Sequence, residues 1–511
     1  MDETVNDALR RITKGAAIFF FGTVSGMVIS FFARVLVARY LSPSEFGILS
    51  LSLVVFMMAT TISMFGIPDA MTRQASYFIG KGEVEKAKAI IKLSGLTVFL
   101  FSVLAASIMF YLSDHLAAIF KIPALSWTLK ILSLAIPFAA LRSYAISIFR
   151  VMERAEIKVI FGDIVPNSLR LFLVVLIILL GLSLYYIVWA YALAVIISSV
   201  ILLIYSFSRV DLKNSKLNIG YLVVVLSFAL PLLLQGVLGL IISWTDTLMV
   251  GYFMKASDVG LYSSAQPVAS LMTVSLASIG FLYFPLVSRL YAGGRVKEAG
   301  RTYAVITKWL TSLTLPIFLI MFFFPKAVLW TIYGNKYIKA YEVLRILALG
   351  FFIPVMLGPN GLTLLSFGRT KEVTFSSLIS AVSNFLLNLI AIPVMGIEGA
   401  AVASAVSYSV GSFFVSGLLY KDYKIHPFTK NYLKPAVMSV SLTAVIYLIA
   451  RNFVLKWYSL IVLFILFLII YFISLLFTRS FDKEDISLLL AIEQRLGLDL
   501  GWIKRVLRRF V

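Results

Sequence analysis

Long uncharged stretches alternate with short charged ones along almost the whole chain. Runs such as Leu171 to Phe207 and Trp457 to Phe477 hold no charged residue, and about 20 apolar residues let a helix cross about 30 Å of hydrocarbon. Runs of that length predict membrane-spanning helices and not the strands of a barrel. They fall near residues 15–38, 46–66, 90–112, 126–149, 159–181, 184–207, 223–252, 261–287, 303–325, 341–366, 373–395, 397–420, 432–450 and 457–477. The fold class is thus all-α and polytopic, with about 14 transmembrane helices. Pro137, Pro166, Pro231, Pro267, Pro316 and Pro354 lie within these spans. Kinks are expected at some of them, because proline frees backbone groups that neighbouring helices must satisfy.

The pattern repeats. Tyr40 through Gly47 and Leu49, followed by Lys81-Gly82-Glu83-Val84-Glu85-Lys86-Ala87, is similar to Tyr252 through Gly260 and Tyr262, followed by Gly294-Arg295-Val296-Lys297-Glu298-Ala299. A weaker match pairs Gly181 to Ala192 with Gly396 to Ala405. The offset covers six spans, which returns the chain to the same side of the membrane, so the repeats should be parallel and related by an axis along the membrane normal. The expected organisation is a six-helix lobe over residues 1–210 and a second over 211–425. Two added helices follow within 426–480, then a basic amphipathic tail over 481–511.

Composition narrows the reading. Hydrophobic residues make up 61% of the chain and charged ones 14%, with a formal net charge of +21. Lys and Arg concentrate in alternate loops, including Arg150, Arg154 and Lys158, and Arg289, Arg295, Lys297 and Arg301. By the positive-inside rule these loops and both termini are cytoplasmic, in a plasma-membrane protein. The excess charge is accounted for this way, and nucleic acid is not an expected partner. In the tail, Ile503, Val506, Leu507 and Phe510 share a helical face beside Lys504, Arg505, Arg508 and Arg509, a pattern suited to anionic membrane lipid. With no cysteine and two histidines, thiol catalysis is excluded and neither a metal site nor a cofactor is expected.

Polar residues inside the greasy segments carry the candidate chemistry. Arg34, Arg142, Asp163, Arg170, Asp246, Asn384 and Asn388 all fall in predicted spans, where a central charge costs roughly 2.5–3.5 kcal/mol on insertion scales. Arginines outnumber carboxylates, so a cavity built from these positions would be cationic. Arg170, near the middle of the fifth span, is the sharpest candidate for substrate binding, with Arg142 and Arg34 beside it in that role. Asp163, seven residues before Arg170, shares its face on an α-helix and can hold it in an ion pair or act in gating. Asn384 and Asn388 are candidate sugar contacts, or glue between helices. Arg34 and Asp246 occupy equivalent places in the two repeats and can form a gate pair; Asp246 is also the best carboxylate for coupling to H+ or Na+.

One segment, Arg34-Val-Leu-Val-Ala-Arg39-Tyr40-Leu41-Ser42-Pro43-Ser44-Glu45-Phe46-Gly47, follows a first helix bearing Gly22 and Gly26. It resembles the first-helix signature of polysaccharide exporters. Trp244-Thr-Asp246-Thr-Leu-Met-Val-Gly251-Tyr252, continued by Val259-Gly260-Leu-Tyr262, resembles the seventh-helix signature of the same proteins. These are the Wzx-type oligosaccharide flippases of the multidrug, oligosaccharidyl-lipid and polysaccharide exporter superfamily. The resemblance implies that a polyprenyl-linked oligosaccharide moves from the cytoplasmic to the outer leaflet by alternating access. A multidrug or cation antiporter of the same superfamily would instead need intramembrane carboxylates and aromatics. A membrane glycosyltransferase or ligase would need acidic or histidine-bearing outer loops, and these contain little beyond Glu45, Asp114, His115 and Asp258.

Overall fold

The computed structural model describes residues 2–209 and 219–428, with isolated positions beyond. Among the described residues the secondary structure is helical throughout. In order the helices are α1 (Asp2–Tyr40), α2 (Pro43–Met64), α3 (Ile67–Gly80), α4 (Val84–Ile119), α5 (Ala124–Ser133), α6 (Ile136–Val151) and the short α7 (Ala155–Ile157). A π-helix, Lys158–Ile164, leads into α8 (Val165–Leu179) and α9 (Leu184–Arg209). Then follow α10 (Ile219–Phe253), α11 (Ala256–Ala292), α12 (Val296–Phe323) and α13 (Pro325–Tyr333). After a 3-10 turn at Asn335–Ala340 come α14 (Tyr341–Leu357), α15 (Asn360–Ser366), α16 (Thr370–Met395) and α17 (Ile397–Tyr423).

Ten helices among the described residues are long and apolar enough to cross a membrane, or eleven if the bent pair α5 and α6, at 41°, forms one span. This is a polytopic all-α membrane protein. The last two expected spans and the tail lie outside the described stretch. Two of the six span prolines coincide with new helix starts, Pro137 in α6 and Pro166 in α8. The other four sit inside continuous helices. The span expected over 341–366 is broken at Gly358, whose φ of 76° ends α14 before α15 begins.

Local sequence explains several boundaries. Ser42-Pro43-Ser44-Glu45 makes a capping box at the start of α2: the Glu45 amide donates to Ser42 Oγ at 3.3 Å, and the Ser42 amide donates to the Glu45 carboxylate at 2.9 Å. Pro43 occupies the first turn, where its missing N–H costs nothing. Gly82 and Gly294, equivalent in the repeat, both take left-handed φ values of 77° and 72°. Each thereby turns one helix into the next. The loops before the π-helix and before α16 also match: Arg154 bonds Glu156 and Tyr205 of α9, while Arg369 bonds Glu372 and Asp422 of α17. The hydrogen bond to Glu372 raises the pKa of Arg369 further, keeping this staple charged.

Backbone contacts divide the chain into Met1–Gly260 and Leu261–Val511. α10 packs on α2, α3 and α4, which places it in the first unit although it opens the second repeat. The core here includes Ile67, Met71, Ile90, Tyr144, Ile148, Val225 and Ala229. In the second unit Tyr283, Val287, Leu310, Leu364, Val415 and Leu419 form a comparable core.

Gly47 of α2 and Gly260 of α11 meet within the first unit. A Cβ at Gly47 would stand 1.8 Å from the Ala256 carbonyl oxygen, and one at Gly260 would stand 1.9 Å from that of Pro43. These two repeat-equivalent glycines let the N-terminal turns of α2 and α11 touch backbone to backbone.

Candidate functional site

A cavity of about 350 Å³ opens inside the first unit, between α1, α2, α6, α8, α9 and α10. Its polar and aromatic lining includes Arg34, Arg142, Asn167, Arg170, Tyr191 and Trp244. Three arginines predicted from separate spans therefore converge on one space, whose lining holds no carboxylate among the described residues.

Arg170 is held from three sides. Its Nη2 donates to Ser30 Oγ of α1 at 2.8 Å and to Asn167 Oδ1 one turn earlier, and its guanidinium lies 5.1 Å from the centroid of the Tyr191 ring on α9. A cation over an aromatic face is stabilised by the ring quadrupole. Arg170 Nε is buried and has no hydrogen-bond partner. Arg142 Nη1, on α6, is in the same condition. Leaving a buried donor without an acceptor costs roughly 1–3 kcal/mol. The Arg34 guanidinium lies 5.7 Å from the Phe46 ring centroid.

The wall carrying Arg170 owes its shape to glycine spacing. Gly22 and Gly26 of α1 stand one turn apart, and a Cβ at Gly22 would meet Val159 at 2.0 Å while one at Gly26 would meet Asp163 at 2.7 Å. Small residues at this spacing let two helices pack closely in a membrane. The partner surface is the π-helix, a form that recurs at functional sites.

That π-helix overturns one expectation. Asp163 does not pair with Arg170; its carboxylate takes Lys158 Nζ at 2.7 Å and the Thr23 hydroxyl at 2.8 Å. The seven-residue spacing gives a common face only in a regular α-helix, and the wider π turn carries Asp163 toward α1 instead. The salt bridge of Asp163 is therefore with Lys158 and not with Arg170.

Of the two roles expected for the amides of α16, sugar contact or glue between helices, the structure shows the contacts of the second. Asn384 is 3% exposed and Asn388 fully buried. Asn384 Nδ2 approaches Ser404 Oγ of α17 at 3.4 Å, and Asn388 Nδ2 donates to Asn384 Oδ1 at 3.1 Å. They form part of a seam between two helices. Asp246, 1% exposed, lies on α10 two residues after the cavity-lining Trp244.

Residues missed from sequence include Asn167, Ser30, Tyr191 and Lys158. Asn167 carried a signal, being polar and one turn from Arg170. Tyr191 carried none, since a tyrosine in a span reads equally well as core.

The sequence signature of a family described as "Polysaccharide biosynthesis protein" matches residues 12–291, more than half of the chain and all of the cavity lining. The chain belongs to this family. A second signature, MatE, matches residues 231–390. Within the polysaccharide biosynthesis proteins and their kin, one relative is the "Probable low-salt glycan biosynthesis flippase Agl15" of Haloferax volcanii, 23% identical over 78% of this chain and 82% of its own. Another is the succinoglycan biosynthesis transport protein ExoT of Rhizobium meliloti, 22% identical over 61% of each chain. Among solved structures, the lipid II flippase MurJ in an inward closed conformation superposes with a TM-score of 0.73, at 17% identity, over 91% of this chain and 99% of its own. An inward-facing multidrug resistance MATE transporter of the MOP superfamily gives 0.68, at 14% identity, over 78% of this chain and 94% of its own. At these identities the structural likeness concerns the fold.

Proposed function

We propose that this polysaccharide biosynthesis family protein is a flippase, carrying a lipid-linked oligosaccharide from the cytoplasmic to the outer leaflet by alternating access. The observation that carries this reading is the cavity lined by Arg34, Arg142 and Arg170 and, among the described residues, by no carboxylate. A polyprenyl phosphate or diphosphate brings negative charge next to a large polar glycan. Arginine suits it because the guanidinium stays charged at physiological pH and donates in a fixed fork. Asn167, Tyr191 and Trp244 add hydrogen-bonding and flat surfaces of the kind that sugars occupy.

The reaction is a relocation, with no covalent bond made or broken in the substrate, so the protein acts as a carrier and not as an enzyme. The Lys and Arg distribution supports an orientation with both termini in the cytoplasm, where the glycolipid would be loaded. Asp246, buried in α10, is the carboxylate we assign to coupling with H+ or Na+, and Arg34 is its proposed gate partner. A multidrug or cation antiporter is disfavoured, since three arginines repel a cationic drug.

The test is reconstitution in liposomes with a polyprenyl diphosphate-linked oligosaccharide, reading leaflet exposure with a lectin or a glycosidase. Wild-type protein should move glycolipid, and an imposed ion gradient should change the rate. Efflux of a cationic dye with no glycolipid movement would overturn the reading.

A further inference from the structure

Asn167 touches both the helix seam and the cationic cavity. Its Nδ2 donates to the Gly26 carbonyl of α1 at 3.1 Å and to the Asp163 carbonyl at 2.7 Å, while its Oδ1 accepts from Arg170 Nη2. The chemistry fixes which way the amide points. Two carbonyl oxygens can only accept and a guanidinium can only donate, so a flipped amide would face like against like on every side. Among the common side chains, this position wants a short group with two donors on one side and a neutral acceptor on the other.

We infer that Asn167 is a positioning residue: it ties the aim of Arg170 to the seam between α1 and the π-helix without neutralising its charge. Two observations support this beyond the hydrogen bonds themselves. The seam is close-packed at Gly26, so the carbonyl anchoring Asn167 has little room to move. Ser30, the other acceptor for Arg170 Nη2, sits one turn along α1 from Gly26. Arg170 is thus referenced twice to the same helix, and it lines the cavity with its charge unpaired by a carboxylate salt bridge among the described residues. A carboxylate here would pair with the guanidinium and remove the charge that an anionic substrate needs.

The inference rests on the reading of the cavity as a site for an anionic lipid head, and a binding cycle separates the two. The probe is geranylgeranyl diphosphate, titrated onto full-length protein in detergent by calorimetry, using only variants that elute as a single species. Arg170→Ala should raise Kd about tenfold, the effect of losing about 1.4 kcal/mol. Asn167→Ala and Asn167→Asp should each weaken binding about three- to tenfold in the wild-type background and by less than about twofold when Arg170 is already alanine. Ser30→Ala, which leaves the Asn167 anchors intact, should weaken binding by a smaller factor and likewise vanish in the Arg170→Ala background. A merely structural Asn167 would instead give the same loss in both backgrounds, and that additivity would overturn the inference. Wild-type affinity in the Asn167 variants would overturn it too. Wild-type affinity in Arg170→Ala would overturn the cavity reading itself.

Discussion

The wall formed by the π-helix and α8 and its counterpart α16 occupy matching places in the sequence repeat, yet only the first carries charge beyond its opening turn. Flanking loops align closely: Arg154 and Arg369 begin the two segments, and Gly181 and Gly396, with φ of 67° and 66°, end them. Between these landmarks the first segment holds Asp163, Asn167 and Arg170, where the second holds Leu378, Val382 and Phe385. The first is interrupted by a π turn and packs on glycines of α1; the second is a regular helix over Thr370–Met395, with its amides turned into the seam with α17. Two segments of similar sequence frame thus share turns and staples and differ in chemistry between them. Backbone turns are set by a few positions that tolerate little else, whereas a cavity wall can be rewritten by side chains alone.

The sharpest way to break this contrast is to remove charge from one wall and bulk from the other. Arg170→Ala should cut glycolipid translocation in liposomes by about 10- to 100-fold, since hydrogen bonds to charged groups contribute about 1.5–3 kcal/mol. Arg170→Lys should recover part of it, because charge returns without the fork. Phe385→Ala at the equivalent place should leave the rate within about threefold of wild type, as for an ordinary exposed position. Equal losses on both walls would abolish the distinction.

A somewhat smaller effect is expected for Arg34 and Asp246, the repeat-equivalent pair of opposite charge. Arg34→Asp or Asp246→Arg alone should impair transport, and combining them should restore part of it. Close charges commonly couple by about 0.5–3 kcal/mol in double-mutant cycles. Additive defects in the transport assay would leave them as independent charges.

In the second unit, Asn384→Ala should lower thermal stability in detergent while transport per folded molecule stays unchanged. Hydrogen bonds between membrane helices average about 0.6 kcal/mol, so the shift should be small. A transport defect in fully folded Asn384→Ala would return the amide to the substrate path. The smallest effect belongs to the matched surface staples: Arg154→Ala and Arg369→Ala should each destabilise slightly and similarly, and the difference from wild type should fade in high salt. A salt-independent loss at one of them alone would mean that the staples differ in role.

Much of the frame could be read from the sequence because membrane burial leaves so strong a trace. Each expected span from the first to the twelfth contains helix, and Arg34, Arg142 and Arg170 could be gathered into one cavity because a charge in hydrocarbon is costly without a polar place to go. Asp163 was misplaced because face-sharing was reckoned on 3.6 residues per turn, and a π turn leaves no simple mark in sequence. Asn384 and Asn388 were ambiguous for another reason: an amide in a span serves a sugar or a neighbouring helix with the same atoms. Tyr191 and Ser30 could not be found without coordinates, since their roles depend on which helix faces them.

The meeting of Gly47 and Gly260 has a consequence for which residues these two positions can hold. A methyl group at either would stand within 2 Å of a backbone carbonyl oxygen of the other turn, 1.8 Å from that of Ala256 or 1.9 Å from that of Pro43. Backbone atoms cannot swing aside as the end of a side chain can, so even alanine would force the two turns apart.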